Sequence, residues 1–338
     1  KLTIDVRLQS IAYHELKRAV EYYEAKSGSV IIIDPKSADI LALTNFPTFN
    51  PSNRRNLKDL STLRNRATVD IFQPGSVLKP LAMAAIIDSG KVSIDTKTNT
   101  SPGWIDFGGY KTTDFRDYGI LSLSQIISYS SNVGMVKLCK EQDSNHLFNY
   151  FSDFGIGILP TNILIPSREG FLPQSSLISE RDKVSACYGY GLSMSAVQLA
   201  QAYQIFANKG IFKELNLFYD KELSNPGPER RVLSDDTARY INSMLFNTVN
   251  SRHGTARGAR IGGVEVAGKT GTSEKIRNGK KIYTATFSGF APVNDPKLLA
   301  VIVLHDLSGE DHSGGKVAAP IFSKVISQSL HALESGST

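Results

Sequence analysis

The 338-residue chain has only two cysteines, one tryptophan and four methionines, and its longest aliphatic run is the seven residues 298–304. A membrane-spanning helix needs about 20 apolar residues, so none is encoded here. The opening KLTIDVRLQS has no apolar signal-peptide core. Cys139 and Cys187 stand 48 positions apart without CxxC or Cys/His spacing, which argues against a structural zinc site. Two buried free thiols are expected, and they carry no compartment signal. The six histidines form no HExxH pattern and Gly-x-Ser-x-Gly does not occur, so a zinc hydrolase and a Ser-His-Asp hydrolase both lack their signatures.

Charge of both signs is present. Lysine plus arginine exceed aspartate plus glutamate by 38 to 32, giving +6 and a pI near 9.1. A solvated basic surface is the expected meaning: Arg54, Arg55, Arg64 and Arg66 lack interleaved aromatics, so nucleic acid is not an expected partner. With 41% apolar and 21% charged residues, the composition is that of a globular chain with a large core. At roughly 150 residues per domain, the length allows one large domain or two ordinary ones.

The segment at residues 8–26 puts Ile11, Leu16, Ala19, Val20 and Tyr23 on one stripe, which predicts a helix packed on a core. SVIIIDPKSADILALTN reads as a hairpin turning at Asp34, Pro35 and Lys36. Strand signals return in VEVAGKTGTSEKI, KIYTATFSGFAPV and KLLAVIVLHD, joined by Asn278-Gly279 and Asn294-Asp295-Pro296. An amphipathic helix, AAPIFSKVISQSLHAL, closes the pattern. Residues 74–250 read as mostly helical, including the segment SLSQIISYSSNVGMVKLCKE. Ser122 and Ser234 suit N-caps, and Gly90, Gly155 and Gly210 suit helix stops. Residues 46–70 and 157–182 read as loops. The expected fold is α+β and two-lobed. An antiparallel sheet is built from both chain ends (about 1–75 and 251–338), and a mostly helical lobe (about 76–250) is inserted between them.

In QPGSVLKP, Ser76 starts a helix and Lys79 lies three residues on, so a hydroxyl and an amine share a face. A serine is a weak nucleophile until a neighbouring base takes its proton, and a desolvated lysine can be that base. The helix dipole favours negative charge developing at Ser76. A second Ser-x-x-Lys, Ser313 to Lys316, spans Gly314-Gly315 in a loop that fixes nothing. Ser130-Ser131-Asn132 is the chain's one Ser-x-Asn. It is either a helix cap or a second hydroxyl for proton relay beside an amide that orients a peptide. Lys269-Thr270-Gly271-Thr272 closes a strand. There lysine and threonine suit a carboxylate and glycine permits close approach.

Ser-x-x-Lys, then Ser-x-Asn, then Lys-Thr-Gly is the order found in penicillin-recognising serine enzymes. With LTIDVRLQ, RNRATVDIFQPGS, YGYGLSMSAVQLAQAY, HGTARGARIGGVEVAGKTGTSEK and GGKVAAPIF, the chain resembles, nearly end to end, the transpeptidase domain of class B penicillin-binding proteins. The division-specific penicillin-binding protein 3 type is the most similar. The resemblance implies peptidoglycan D,D-transpeptidation during septal wall synthesis, through a serine acyl-enzyme that β-lactams block. Ser76 would be the nucleophile and Lys79 its base. Ser130 would pass a proton to the departing amine under the influence of Lys269, and Asn132 would hold the acyl amide. Thr270 and Thr272 would bind the carboxylate beside Gly271, and the N–H groups of Ser76 and Thr272 would form the oxyanion hole. No cofactor and no metal are implied. The implied partners are stem peptides ending in D-alanyl-D-alanine, β-lactams, a septal glycan polymerase and division proteins. A cytoplasmic tail, a single membrane anchor and a pedestal domain are implied for the full-length protein. They place the catalytic domain on the periplasmic face of the inner membrane, and this chain reads as that domain excised. Gln73, Val77-Leu78 and Ser273 depart from the commonest family pattern.

Rivals remain. A class A β-lactamase needs a glutamate two positions before Glu-Leu-Asn; here Phe212 stands there, ahead of Glu214-Leu215-Asn216. A D,D-carboxypeptidase shares the chemistry and differs only in its acceptor. A penicillin-sensing domain or a noncatalytic scaffold would keep the same residues. His253, Arg257 and Arg260 lead into the Lys-Thr-Gly strand and are given no role.

Overall fold

Asp5 accepts hydrogen bonds from the N–H groups of Arg7 and Leu8, starting the first helix, α1 (Val6–Tyr22), in a computed structural model that describes residues 1–53, 59–107, 109–160, 162–163, 165–220 and 227–335. Arg54 and Arg55 lie outside the described residues. The buried stripe of α1 is Leu8, Ala12, Leu16, Ala19 and Val20, while Ile11 and Tyr23 are half-buried, so the inward face is turned from the expected one. After α1 come β1 (Ser27–Ile33) and β2 (Ile40–Phe46), the predicted hairpin.

Within the segment 46–70, read as loop, the chain makes a short helix, α2 (Arg66–Val69). A 3-10 turn, Gly75–Leu78, then leads directly into α3 (Lys79–Asp88). The next stretch, inside the span read as mostly helical, holds four small strands: β3 (Lys97–Asn99), β4 (Trp104–Phe107), β5 (Tyr110–Thr113) and β6 (Ile120–Ser122). β3 pairs with β6 and β4 with β5.

The helical segment at 122–141 is divided into α4 (Leu123–Ser128) and α5 (Asn132–Lys140), with the Ser-x-Asn as a helix cap, one of its two readings. Ser130 is the reason: its φ of +60° is left-handed and stops α4, and Ser131 restarts the chain as the N-cap of α5. There follow α6 (Ser144–Asp153), α7 (Glu180–Ala186), which begins inside the second segment read as loop, and α8 (Ala196–Ala207). The pair β7 (Ile211–Phe212) and β8 (Arg230–Arg231) precedes α9 (Asp235–Asn250). Ser122 and Ser234 cap α4 and α9, and Gly90, Gly155 and Gly210 all take positive φ.

The chain then returns to the sheet with β9 (Ala267–Arg277), β10 (Lys280–Ala291) and β11 (Leu298–Leu307), and ends in α10 (Ala318–Ser335). The five long strands form one antiparallel sheet in the order β2-β1-β11-β10-β9. Strands from both chain ends therefore meet in one sheet, as the α+β expectation required. Alternation across the pleat accounts for the unbroken apolar runs. Ile31, Ile33, Val301 and Val303 face the helical core around α3 and α8. Val30, Ile32, Ala300 and Ile302 face α1 and α10. The sheet is thus buried on both faces, with β9 at one edge.

Cys139 and Cys187 are joined by a disulfide, not left as free thiols. Cys139 lies near the end of α5 and Cys187 caps α7, and these helices pack together with both side chains fully buried. Sequence separation carried no sign of that packing. Among the described residues no helix is long and apolar enough to cross a membrane.

Candidate active site

The turn bearing Ser76 is built by close backbone packing. Gly75 has φ +58°, its N–H donates to Gly189 O at 3.1 Å, and a Cβ on it would come within 3.1 Å of Thr272 O. Tyr203, fully buried in α8, donates to Val77 O at 2.8 Å, and burial pushes its phenol well above the usual value, so it stays a donor. On the other side lies Gly271 of β9, where a Cβ would sit 2.6 Å from Pro74 O and 3.0 Å from Val77 Cγ1. What Gly271 admits is therefore the nucleophile's own turn. The backbones of Ser76 and Thr272 are brought alongside each other by these contacts.

Ser76 is half-buried. Among the described residues its hydroxyl has no hydrogen-bond partner, which differs from the expected Ser76–Lys79 contact. Lys79, fully buried, instead donates to Ser130 O at 2.6 Å, Asn132 Oδ1 at 2.7 Å and Ser130 Oγ at 3.2 Å. A carbonyl and an amide oxygen are strong acceptors, and the amine's three donor directions are filled by them and the hydroxyl. Burial lowers the Lys79 pKa to about 7, and the negative charge of Asp114 opposes part of that fall.

Lys269 is also fully buried and donates to Ser130 Oγ at 3.0 Å and to Thr270 O at 3.2 Å. Burial holds its pKa well below the usual lysine value, and the charge of Lys79 adds to the effect. Ser130 Oγ is thus shared by two desolvated amines, aimed there by a backbone conformation that costs about 1–3 kcal/mol. Asn132 Nδ2 donates to Thr113 O at 3.0 Å, which fixes the amide that receives Lys79. Thr270 Oγ1 donates to Thr255 Oγ1 at 3.3 Å. Thr272 Oγ1 accepts from Gly314 N at 3.0 Å, leaving its own O–H for a ligand. All eight residues singled out from the three motifs thus line one junction between β9, the 3-10 turn and the α4–α5 break.

Comparison with known proteins fits this junction: residues 28–327 match the penicillin binding protein transpeptidase domain. The chain belongs to that family. It is 36% identical over 337 residues to the probable peptidoglycan D,D-transpeptidase PbpC of Pseudomonas aeruginosa, covering 98% of this chain and 58% of the relative. It is 32% identical over 335 residues to the peptidoglycan D,D-transpeptidase FtsI of Escherichia coli, covering 98% of this chain and 56% of that one. The chain therefore spans little more than half the length of these relatives. Among solved structures, the apo transpeptidase domain of Burkholderia pseudomallei penicillin-binding protein 3 superposes with a TM-score of 0.87 at 32% identity, covering 98% of this chain and 96% of that one.

One residue of this transpeptidase domain escaped sequence reasoning. Asp114, in the loop after β5, accepts from Ser131 Oγ at 2.6 Å, Asn132 N at 2.5 Å and Val133 N at 3.0 Å. A carboxylate at a helix N-terminus is favourable, and this one clamps the Ser-x-Asn turn beneath Lys79. No spacing rule links Asp114 to Ser131; its place after a Thr-Thr pair gave no signal. The second Ser-x-x-Lys behaves as a turn, with Lys316 Nζ on Asp311 at 2.8 Å. Its Gly314 nevertheless supplies the N–H that holds Thr272. Arg260 donates to the carbonyls of Val249, Asn250 and Ser251, closing the end of α9. His253 packs edge-on to Tyr129.

Proposed function

We propose that the chain is the catalytic domain of a serine-type peptidoglycan D,D-transpeptidase, acylated by stem peptides and by β-lactams at Ser76. The observation that carries this reading is the desolvated Lys79, with a pKa near 7, one helical turn from a half-buried serine and bonded to Ser130 and Asn132. A base poised near neutrality is what serine activation needs.

Neutral Lys79 has two N–H groups and one lone pair. Ser130 O and Asn132 Oδ1 can only accept, so they take both hydrogens and leave the lone pair on the side of Ser130 Oγ, toward which the unbonded Ser76 hydroxyl must turn to deliver its proton. In the acylation step Ser76 gives its proton to Lys79 as Oγ bonds to the penultimate D-alanine's carbonyl carbon. The oxyanion that forms lies between the N–H groups of Ser76 and Thr272, and losing one such donor costs about 10²- to 10³-fold in rate. As the C–N bond breaks, Ser130 gives its proton to the departing D-alanine nitrogen and is reprotonated by Lys79 across the 3.2 Å contact. Lys269 keeps positive potential at Ser130 and, with Thr270 and Thr272, meets the substrate carboxylate, while Gly271 lets β9 pack close. Asn132 holds the acyl amide. The amine of a second stem peptide then attacks the ester, forming the crosslink and freeing Ser76.

Among the described residues no carboxylate hydrogen-bonds to Ser76, Lys79 or Lys269, and Glu214 lines a separate cleft beside Phe212. Nothing there activates water, which supports an acyl-enzyme that persists, in contrast to a β-lactamase. We read the chain as one domain, its sheet lobe from about 1–75 and 251–338 and its helical lobe from about 76–250. In the longer protein that the relatives' length points to, a membrane anchor and a pedestal would precede it at the periplasmic face of the inner membrane. Septal glycan polymerase and division proteins would be its partners there. Product analysis tests the reaction: stem peptide plus an acceptor amine should yield crosslinked peptide and one free D-alanine per bond. D-alanine without crosslink would mean a carboxypeptidase. Neither product from an acylated protein would mean a sensor.

A further inference from the structure

Past Thr272, β9 runs into a second concavity of about 520 Å³. Six cationic side chains line it: Lys26, Arg64, Arg66, Arg168, Lys275 and Arg277. Among the described residues only three acids stand against them, Asp70, Glu274 and Asp306. Arg64 and Arg66 share Asp70, Lys275 and Arg277 share Asp306 at 2.7 and 2.5 Å, and Glu274 turns to Lys281 at 3.0 Å. Among the described residues neither Lys26 nor Arg168 makes an ion pair within 4 Å, although Lys26 acts on Asp59 from farther off. His305 lies in the wall; burial lowers its pKa to about 4, so it is neutral at pH 7 and adds no charge. Asp306 has a left-handed φ of +57°, beside the register shift of β10 on β11, and its carboxylate meets both cations from there.

The cavity begins where the catalytic cleft ends. Gln73, three residues before Ser76, and Ser273, next after Thr272, both line it. Ser273, Lys275 and Arg277 share one face of the edge strand. At about 3.3 Å per residue, Lys275 lies roughly 10 Å and Arg277 roughly 17 Å beyond Thr272. An extended peptide acylating Ser76 and lying along β9 as an added strand would bring side chains roughly three to five residues upstream of the scissile bond over these cations.

We infer that this cavity is a carboxylate-binding subsite for the donor peptide, selecting acidic groups upstream of the bond that is cleaved. The inference rests on the proposed transpeptidase function. An uncharged peptide would leave Lys26 and Arg168 unmatched, whereas carboxylates would complete the two-to-one pattern already set by Asp70 and Asp306, and arginine suits them by its forked donors.

The test needs no turnover. Three peptides are compared for the concentration that halves the rate of benzylpenicillin acylation. One ends in D-alanyl-D-alanine and carries free carboxylates upstream, one is its amidated twin, and one is an acidic peptide of equal charge without the D-alanyl-D-alanine end. The free-carboxylate donor should protect wild type at about a tenfold lower concentration than its twin. The double variant Lys26→Gln with Arg168→Gln should bring the two within about twofold while its own acylation rate stays unchanged; these residues touch neither Ser76 nor its base, and no ion pair is broken. Equal protection by both donors in wild type, or undiminished preference in the double variant, overturns the inference. So does equal protection by the acidic peptide without the D-alanyl-D-alanine end, which would make the cavity a dock for acidic partners. A folded wild type that benzylpenicillin does not acylate removes the transpeptidase function itself and this subsite with it.

Discussion

Lys79 and Lys269 reach the same oxygen: Nζ of each lies within hydrogen-bond distance of Ser130 Oγ, at 3.2 and 3.0 Å, and both side chains are fully buried. Two charged ammonium groups around one hydroxyl in a dry site repel, so the pair favours a state in which at least one is neutral. For Lys79, lowering from 10.5 to about 7 corresponds to about 5 kcal/mol of preference against the charged form.

The pH dependence follows in sign. Below about pH 7 Lys79 holds its proton and has no lone pair for Ser76; above it the base is free. The benzylpenicillin acylation rate should therefore rise about tenfold per pH unit below 7 and level off above it. Stopped-flow acylation from pH 5 to 9 measures this, and a limb centred near pH 10 would mean that Lys79 is not the desolvated base.

Ser130→Ala removes the shared oxygen while leaving Ser76 and its turn untouched. Loss of a positioned proton donor should slow acylation by about 10²- to 10⁴-fold. Thermal unfolding should show the protein folded, and an acylation rate within threefold of wild type would remove the relay role.

Asp114→Asn separates two effects. It weakens the charged clamp on Ser131, Asn132 and Val133, a loss of about 1.5–3 kcal/mol per charged hydrogen bond at most. It also removes the negative charge that holds the Lys79 pKa up, so the acidic limb of the acylation profile should move to lower pH. A limb that stays at pH 7, with only stability lost, would confine Asp114 to a structural part.

Gly271→Ala places a methyl 2.6 Å from Pro74 O, backbone that cannot swing aside. Overpacking of this kind costs about 1–3 kcal/mol, and here the displaced element carries the nucleophile. Acylation should fall by more than the stability loss alone explains; a wild-type rate would show that β9 and the Ser76 turn need not touch.

The disulfide closes a segment with a sequence separation of 48 residues. Replacing Cys139 and Cys187 together by alanine should cost about 2–4 kcal/mol, read by denaturant unfolding. An unchanged midpoint would show that the bond contributes nothing to the fold.

How much of this was readable follows from what each residue depends on. Ile31, Val301 and their neighbours sit in apolar runs bounded by turn signals, so the strands and their meeting in one sheet were legible, whereas the burial of both faces came from the packing of α3 and α8 on one side and α1 and α10 on the other. Ser76, Ser130 and Lys269 were legible through their order along the chain. The helix boundary at Ser130 was legible as a cap, which Ser131 supplies to α5, but the left-handed turn of Ser130 was not, because it goes with tertiary bonds to Lys79 and Lys269. Asp114 and Tyr203 act across 17 and 126 positions of sequence, where no periodicity reaches. Cys139 and Cys187 meet only because α5 packs on α7. The small strands between residues 97 and 122 are too short to leave a pattern.

Intact-protein mass after brief exposure to benzylpenicillin, for wild type and Ser76→Ala, tests the central claim most directly. A single adduct of the drug's full mass, lasting for hours on wild type and missing from Ser76→Ala, is the predicted result. An adduct that forms on Ser76→Ala, or none at all on folded wild type, would contradict Ser76 as the nucleophile.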